Sequence, residues 1–208
     1  MNPVQLLQQK LKLTPDGVIG PRTFAALRLH WNLTGIQLAH FLGQCEHETG
    51  GFTLFTENLN YSSQALRTVF ARHYPEPLLA TQHHRKPQLI ANHVYGGRMG
   101  NNEPNDGWNF RGRGAVQLTG RNNYFAFSQW KKDPSILLIP DQVATVYAFD
   151  SAIWFFETNR VWRHTVDLSD KSILAVSRAI NLGNALSTVT PNGLQDRINK
   201  TRKYQAFI

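Results

Sequence analysis

Two glutamates, Glu48 and Glu57, lie nine positions apart, and Gly50-Gly51 between them marks the end of a helix. Acid–base cleavage of a glycosidic bond needs one carboxyl that keeps its proton and a second that stays ionised. A carboxyl at a helix end and another in the following loop suit that division of roles. The spacing alone is weak evidence, but it fits a hydrolytic site that uses both carboxyls.

Residues 34–50 are predicted to form the helix that carries Glu48. Thr34 is suited to the N-cap position. One face of this helix is apolar and is formed by Leu38, Phe41, Leu42 and Cys45. At helical periodicity Glu48 falls at the edge of that face, where partial removal from water favours the protonated carboxyl.

A second polar segment, residues 109–124, alternates glycines with arginines and then carries Gln117, Thr119 and Asn123. Glycine lets the backbone approach a ligand closely, and neutral amides and hydroxyls suit the hydroxyl and acetamido groups of sugars. An arginine-rich loop also fits a contact with nucleic acid. The density of amides and aromatic residues favours carbohydrate.

The remaining pattern predicts a mainly α fold with long loops and weak strand signals. Two short helices are expected within residues 4–29, and further helices at about 142–157, 170–180 and 193–206. Residues 84–125 are rich in Gly, Asn and Arg, which predicts long ordered loops. Trp154, Phe155 and Phe156 are expected in the core.

Length and charge narrow the class of protein. A chain of 208 residues fits one main domain with a small appendage, and the net charge of +8 favours an anionic partner. Cys45 is the only cysteine, so no intramolecular disulfide forms, which fits synthesis in a reducing cytoplasm. The N-terminus shows no signal-peptide pattern, and no apolar stretch is long enough to span a bilayer.

The sequence predicts neither a metal nor a cofactor. His47-Glu48 resembles the start of a zinc-protease helix, but the second histidine of that motif would stand at Gly51. His83-His84 fits a surface loop. Cys45 is predicted to be a small buried hydrophobe without a partner base.

Two resemblances to known families rest on these segments. Residues 7–27 resemble about the second half of the peptidoglycan-binding repeat of bacterial cell-wall hydrolases, and the alternative is a structural helix–turn–helix cap that has lost its ligand-binding role. Over roughly residues 34–206 the chain resembles glycoside hydrolase family 19, the chitinase family, whose phage and bacterial members act as endolysins. Four motifs in the family's order carry this resemblance, namely His47–Phe52, Tyr95–Asn101, Phe110–Thr119 and Ala179–Gly183.

The family resemblance implies an architecture and a mechanism. It implies a two-lobed, lysozyme-like α-helical hydrolase with long loops around a central cleft, residues 31–208 being the catalytic domain and residues 1–30 a small helical segment similar to a peptidoglycan-binding module. The mechanism would be inverting, with the two carboxyls roughly 6.5–9.5 Å apart to admit a water molecule.

The resemblance also implies residue roles. Glu48 matches the proton donor, Glu57 the general base of the endolysin branch, and Thr119 the residue that holds the attacking water. The expected substrate-binding positions are Gln117, Asn123 and Asn181, with Arg197 as a basic residue that tunes the acid. Aromatic residues that could stack on sugar rings are Tyr61, Tyr95, Trp108 and Phe110. Each residue alone also fits a structural role: Glu57 as a surface carboxylate, Thr119 as a turn cap, Asn181 as a helix cap.

Together these features predict a monomeric endolysin or lysozyme that hydrolyses the β-1,4 bonds between MurNAc and GlcNAc in bacterial peptidoglycan. It would be made in the host cytoplasm without a signal peptide and reach the cell wall through a separate pore protein. Three alternatives stay open: a chitinase acting on N-acetylglucosamine polymers, a non-enzymatic wall-binding protein, and a nucleic-acid binder. The first of these is the nearest rival.

Overall fold

Helices make up 57% of the chain and no strand is formed, which confirms the prediction of a mainly α fold. The computed structural model describes residues 1–208. None of its helices combines the length and the apolar character needed to cross a membrane. The α-helices, in chain order, are α1 (Pro3–Lys10), α2 (Pro21–Trp31), α3 (Gly35–Glu48), α4 (Ser63–Val69), α5 (Pro77–Gln82), α6 (Pro87–Tyr95), α7 (Asp106–Asn109), α8 (Arg121–Lys131), α9 (Ser135–Leu138), α10 (Asp150–Thr158), α11 (Asp170–Leu182) and α12 (Leu194–Lys203). Short 3₁₀ helices lie at Pro140–Ala144, Val161–His164 and Tyr204–Phe207.

The chain divides into two units. Unit 1 contains Met1–Phe55, Gly114–Val116 and Ala144–Ile208, and unit 2 contains Thr56–Arg113 and Gln117–Val143. Each unit has its own cluster of buried apolar side chains.

The core of unit 1 is built on α3. Its fully buried Phe41 makes edge contacts with Trp31 and Phe156, each with ring centroids 5.3 Å apart. Trp154 and Phe156 are buried as predicted, and Phe155 is half-buried. Large aromatic side chains in edge-to-face contact bury much apolar area, so this cluster gives α3 a rigid support.

The N-terminal segment lies in the same core. Val4, Phe24 and Leu27 are fully buried there, and Phe24 stacks on Tyr204 with ring centroids 6.1 Å apart. The two short helices predicted within residues 4–29 are present as α1 and α2. The resemblance of residues 1–30 to a peptidoglycan-binding module stays a prediction, and the burial of Val4, Phe24 and Leu27 also fits the alternative of a structural cap.

The core of unit 2 is smaller and is formed by Leu59, Leu66, Tyr74, Ala80, Ile90, Ala91 and Val94. His83, which was predicted to lie in a surface loop, is half-buried: its Nδ1 is 2.9 Å from the Tyr74 hydroxyl and its ring packs against His93. Desolvation and nearby positive charge lower the pKa of His83 below its usual range.

The structure differs from the prediction in two segments of the chain. Residues 84–125 contain α6, α7 and the start of α8, whereas the sequence predicted loops throughout. Pro87 stands at the first position of α6, and Ile90 and Val94 give it a buried face that the many polar residues concealed. In the segment 142–157, the α-helix begins only at Asp150, and the Ala148 carbonyl just before it accepts from the Ala115 amide and from the Ser151 hydroxyl.

Candidate active site

Glu48 is the last residue of α3, and the sequence of that helix explains where it stops. Thr34 and Gln37 form a reciprocal capping box at the N-terminus, as the Thr34 prediction required. At the other end Gly50 and Gly51 adopt positive φ of 57° and 81°. The chain thus turns directly after the carboxylate and leaves its side chain 22% exposed.

A buried guanidinium contacts this carboxylate. Arg197 of α12 is 1% exposed, and its Nη2 donates to Glu48 Oε1 at 2.5 Å. The two helices approach closely because α3 has Gly43 where they meet: a Cβ there would lie 2.6 Å from Thr201 Cα. Tight packing of α3 on α12 therefore places the charge beside Glu48.

The rest of the Arg197 side chain is also hydrogen-bonded. Its Nε donates to the Asn192 carbonyl at 2.9 Å, and its Nη1 donates to Gln44 Oε1 at 2.6 Å. The Asn192 amide in turn donates to Asn181 Oδ1 at 2.9 Å. Asn181 is thereby connected to Glu48 through the backbone of Asn192 and the side chain of Arg197.

Neighbouring side chains on α3 have other partners. Cys45 is fully buried, and burial followed by the charge of Glu48 raises the pKa of its thiol well above the usual range. His47 Nδ1 lies 2.6 Å from Asp196 Oδ2, which also accepts from Lys200. Lys200 and then His47 lower the pKa of Asp196. Cys45 is thus a buried thiol, as predicted.

Glu57 lies in unit 2 and is held by uncharged donors. The Tyr95 hydroxyl donates to Glu57 Oε2 at 2.7 Å, and the Gly112 amide donates to Oε1 at 2.5 Å. The Glu57 amide donates to the Gly112 carbonyl at 3.0 Å, so the backbone also fixes this residue. Burial, and then the charge of Glu57, raises the pKa of the Tyr95 hydroxyl, which keeps it a donor.

Three predicted residues converge on Gly112. A Cβ at this position would lie 2.5 Å from Gln117 Oε1 and 3.3 Å from both Glu57 Oε1 and Thr119 Oγ1. Only glycine leaves that space open for all three polar groups. Unit 2 therefore gathers a carboxylate, an amide and a hydroxyl around one backbone position.

The other predicted residues of unit 2 lie near this group in the chain and have their own contacts. Asn123 Nδ2 donates to the Thr119 carbonyl at 2.8 Å, which ties α8 to the polar segment. The Tyr61 ring packs edge-on against Phe70 with centroids 5.3 Å apart. Arg111 lies 3.6 Å above the Trp108 ring and covers one of its faces. Phe110 is buried against Tyr124, so it belongs to the packing of unit 2.

The arginines of the polar segment are committed to contacts within unit 2. Arg113 is 2% exposed and donates to the Asn109 carbonyl, the Tyr124 hydroxyl and Asp141. Arg111 donates to the Trp108 carbonyl at 2.9 Å, and desolvation with the nearby Arg113 charge lowers its pKa. These guanidinium groups shape the loop, which disfavours the alternative of a nucleic-acid contact.

The structure thus sorts the predicted residues into two groups. Glu48, Asn181 and Arg197 form a connected network in unit 1. Glu57, Gln117 and Thr119 meet at Gly112 in unit 2. Also in unit 2 lie Tyr61, Tyr95, Trp108 and Asn123.

Comparison with known proteins identifies the family. A Haemophilus influenzae protein named "Glycosyl hydrolase family 19 domain-containing protein" is 41% identical to the chain over 152 residues, which is 71% of this chain and 72% of that protein. No model of a protein family matches the chain. The identity over most of both proteins decides the assignment. The chain belongs to glycoside hydrolase family 19.

Family 19 membership makes this protein a glycoside hydrolase, an enzyme whose substrate is a polysaccharide. It agrees with the resemblance in the four sequence motifs. The lysozyme-like, mainly helical fold expected of such a hydrolase is also present.

Three features of this family 19 enzyme were missed in the sequence. Gln44 and Ser177 are fully buried polar residues, and Gly112 is the meeting point of three side chains. A signal for Gln44 was present, because it stands one helical turn before Glu48 in an otherwise apolar stretch. The sequence also gave Tyr95 a role in sugar stacking only, whereas its hydroxyl binds Glu57.

Proposed function

We propose that this family 19 enzyme is an endolysin, a lysozyme that hydrolyses the β-1,4 bonds between MurNAc and GlcNAc in bacterial peptidoglycan. Glu48 donates its proton to the glycosidic oxygen as the bond to the anomeric carbon breaks. Glu57 takes a proton from the water that attacks that carbon from the opposite face, so the configuration inverts. Thr119 orients the water, and Gln117, Asn123 and Asn181 bind the sugar.

One observation supports a working role for both glutamates above the others: each is held by a dedicated set of donors. Glu48 has a buried guanidinium, and Glu57 has the Tyr95 hydroxyl and the Gly112 amide. Side chains fixed in this way lose little freedom when substrate binds, which favours a reactive geometry. A surface carboxylate without a function needs no such set of partners.

The choice of peptidoglycan rests on charge. The net charge of +8 attracts the protein to the anionic bacterial envelope, and added salt should weaken that attraction. Chitin, which is uncharged, gains nothing from it. The nearest alternative is a chitinase, because the neutral groups of Gln117 and Thr119 suit the N-acetylglucosamine units that both polymers contain.

The test compares two substrates and one variant. Purified protein should reduce the turbidity of outer-membrane-permeabilised bacteria faster than it releases sugar from chitin, and mass spectrometry of the peptidoglycan products should show MurNAc at the new reducing end. Glu48→Gln should lower the rate by about 10²–10⁴-fold while the thermal unfolding curve stays cooperative. Full clearing by a folded Glu48→Gln protein contradicts the mechanism, and release from chitin alone favours the chitinase.

We extend the proposal to location and organisation. The enzyme acts as a monomer that is made in the host cytoplasm and reaches the wall through a separate pore protein, and residues 1–30 add affinity for the wall. Host cells should lyse only when a pore-forming protein is co-expressed. Exposed apolar residues of the N-terminal segment include Val18 and Leu29. Val18→Ser with Leu29→Ser should reduce co-sedimentation of the Glu48→Gln protein with peptidoglycan, and unchanged co-sedimentation argues against wall binding by this segment.

A further inference from the structure

A fully buried amide lies one helical turn before Glu48. Gln44 Oε1 accepts from Arg197 Nη1 at 2.6 Å, and Gln44 Nε2 donates to Ser177 Oγ at 3.1 Å. The orientation of the amide is determined by chemistry, because a guanidinium has only donors and must face the oxygen. Ser177 of α11 is itself fully buried and holds the nitrogen end.

The guanidinium that Gln44 contacts has one charged and two neutral acceptors. Glu48 is the charged partner, while Gln44 and the Asn192 carbonyl are neutral. Arg197 is almost fully buried, so water does not replace an acceptor that is lost. A buried cation without acceptors is strongly unfavourable.

The acid role creates a conflict at this position. Glu48 must carry a proton before it can donate one, and protonation removes the anion that pairs with Arg197. The two neutral acceptors keep their bonds to Arg197 in either protonation state of Glu48. Of these two neutral acceptors, only that of Gln44 belongs to a side chain, and Gln44 lies on the same helix as the acid.

We propose that Gln44 is a positioning residue that acts through Arg197: its neutral amide keeps the guanidinium in place while Glu48 carries the proton, and thereby sets the pH range in which the acid works. This inference rests on the proposed role of Glu48. A glutamine suits the task because it accepts a hydrogen bond without adding a charge that competes with Glu48 for Arg197.

Two near-isosteric substitutions at this position have opposite consequences. Gln44→Glu adds an anion that pairs with Arg197. The arginine then stabilises the Glu48 anion less, and protonation of Glu48 becomes easier. Gln44→Met removes one of the acceptors of Arg197. The contact with the Glu48 anion then matters more for the buried guanidinium, and protonation of Glu48 becomes harder. A purely structural role for the amide gives no reason for opposite signs.

Other charges around Glu48 stay constant across these variants. His47 is paired with Asp196, which also binds Lys200, and Glu46 is bound by Lys203 and the Tyr204 hydroxyl. The titratable or charged groups on this part of α3, on α12 and on the final 3₁₀ helix include His40, Cys45, Glu46, His47, Asp196, Arg197, Lys200, Lys203 and Tyr204. From α11 the contact is the hydroxyl of Ser177.

The experiment measures kcat against pH for the full chain on whichever of two soluble substrates, peptidoglycan fragments or an N-acetylglucosamine oligomer, the unaltered protein cleaves. The alkaline limb of the profile should move to higher pH by about one unit in Gln44→Glu and to lower pH by about one unit in Gln44→Met. Ser177→Ala, which loosens the amide without removing it, should move the limb in the same direction as Gln44→Met but less. Gln195→Glu is the matched control, since it adds the same charge at an exposed position of α12 and should leave the limb in place.

Thermal unfolding of each variant checks that it is folded, and Ser177→Ala carries the test if a Gln44 variant does not fold. Limbs that move in the same direction in Gln44→Glu and Gln44→Met, or that do not move, overturn the inference. The proposed function fails separately, namely if the unaltered protein does not cleave peptidoglycan, or if Glu48→Gln retains full activity.

Discussion

In unit 1 the Glu48 carboxylate meets a buried guanidinium from a packed helix, whereas in unit 2 the Glu57 carboxylate meets a phenol hydroxyl and a backbone amide. The first arrangement depends on the side chain of Arg197 and on the approach of α12 to α3 at Gly43. The second depends on a loop conformation, because Glu57 and Gly112 exchange hydrogen bonds through both backbone and side chain.

The two carboxylate sites differ in which substitutions should disturb them most. A charged pair carried by helices is weakened chiefly by loss of the partner side chain, since the helix backbones are held by their own hydrogen bonds. A carboxylate held by neutral donors in a loop tolerates loss of one donor but not displacement of the backbone. Substitutions in each unit can therefore test the comparison independently.

The largest effect is expected from Arg197→Met. It leaves Glu48 without its cation and leaves Gln44 and the Asn192 carbonyl without a donor. Breaking a buried ion pair costs about 3–5 kcal/mol, and the lower end applies here because Glu48 keeps contact with water. We expect activity to fall at least about 10²-fold and the free energy of unfolding, measured by urea denaturation, to fall by about 3 kcal/mol.

Arg197→Lys is the matched variant for that experiment. Lysine keeps the charge, but a single ammonium group does not reach three acceptors in the geometry of a guanidinium. Its stability and activity should lie between those of the unaltered protein and Arg197→Met. Equal losses in both variants contradict the view that charge at this position matters.

Gly112→Ala should produce the next largest effect, and it acts on the polar side chains that surround this backbone position. The added Cβ would lie 2.5 Å from Gln117 Oε1 and 3.3 Å from Glu57 Oε1, so these side chains must shift. Displacement of a catalytic group by about 1 Å lowers rates by about 10²-fold. Activity should fall by about 10–100-fold, with a stability loss of about 1–3 kcal/mol from overpacking.

Gly20→Ala provides the control for this glycine substitution. Nothing lies within 4 Å of a Cβ built at Gly20, and its φ of −92° suits any residue. Its activity on a soluble substrate, which does not depend on wall binding, should match that of the unaltered protein. If Gly112→Ala is equally active, the polar groups around Gly112 are not part of the machinery.

The sequence predicted the surroundings of Glu48 better than those of Glu57. Helical periodicity placed Glu48 at the edge of a buried face, and α3, α11 and α12 were expected near their actual limits. Glu48 and Arg197 are 149 positions apart, and only the family resemblance suggested that they act together. Periodicity shows which face of a helix is buried but not which helix covers it.

The contacts of Glu57 had no comparable signal. Its donors come from Tyr95, 38 positions away, and from the Gly112 amide, 55 positions away. A backbone amide donor cannot be recognised from the type of residue that carries it. The only signal at position 112 is a glycine, which leaves space for the neighbouring side chains. In the same region α6 was predicted as loop, because Asn, His and Gln residues interrupt the apolar positions Ile90, Ala91 and Val94.

A smaller effect is expected from Tyr95→Phe. The variant removes one neutral donor from Glu57 and leaves the Gly112 amide in place. A hydrogen bond to a charged group contributes about 1.5–3 kcal/mol, and the lower figure applies here because the Gly112 amide still binds Glu57, so kcat should fall by about tenfold. Tyr74→Phe loses a hydroxyl contact with His83 in the same unit and should leave kcat unchanged. A similar loss in both variants would attribute the effect to the stability of unit 2.

The smallest expected effect concerns histidines and acid stability, and it compares the two units once more. His40 of unit 1 is fully buried, its Nε2 lies 2.7 Å from the Asp167 carbonyl, and burial lowers its pKa. An unfolded histidine has a pKa of about 6.5, so the unfolded chain binds more protons below that pH. His40 therefore leaves stability intact above about pH 6.5 and lowers it as pH falls from there towards the folded pKa.

His40→Leu should abolish that part of the pH dependence, although the variant is less stable at every pH because the Asp167 carbonyl loses its partner. The difference in unfolding temperature between pH 8 and pH 5, measured by calorimetry, should shrink by a few degrees. His83→Leu in unit 2 should reduce this temperature difference less. His83 is only half-buried, so desolvation acts on it less completely than on His40. If His83→Leu has the larger effect, the acid sensitivity of the protein lies in the histidine and tyrosine contacts of unit 2 rather than in His40 of α3.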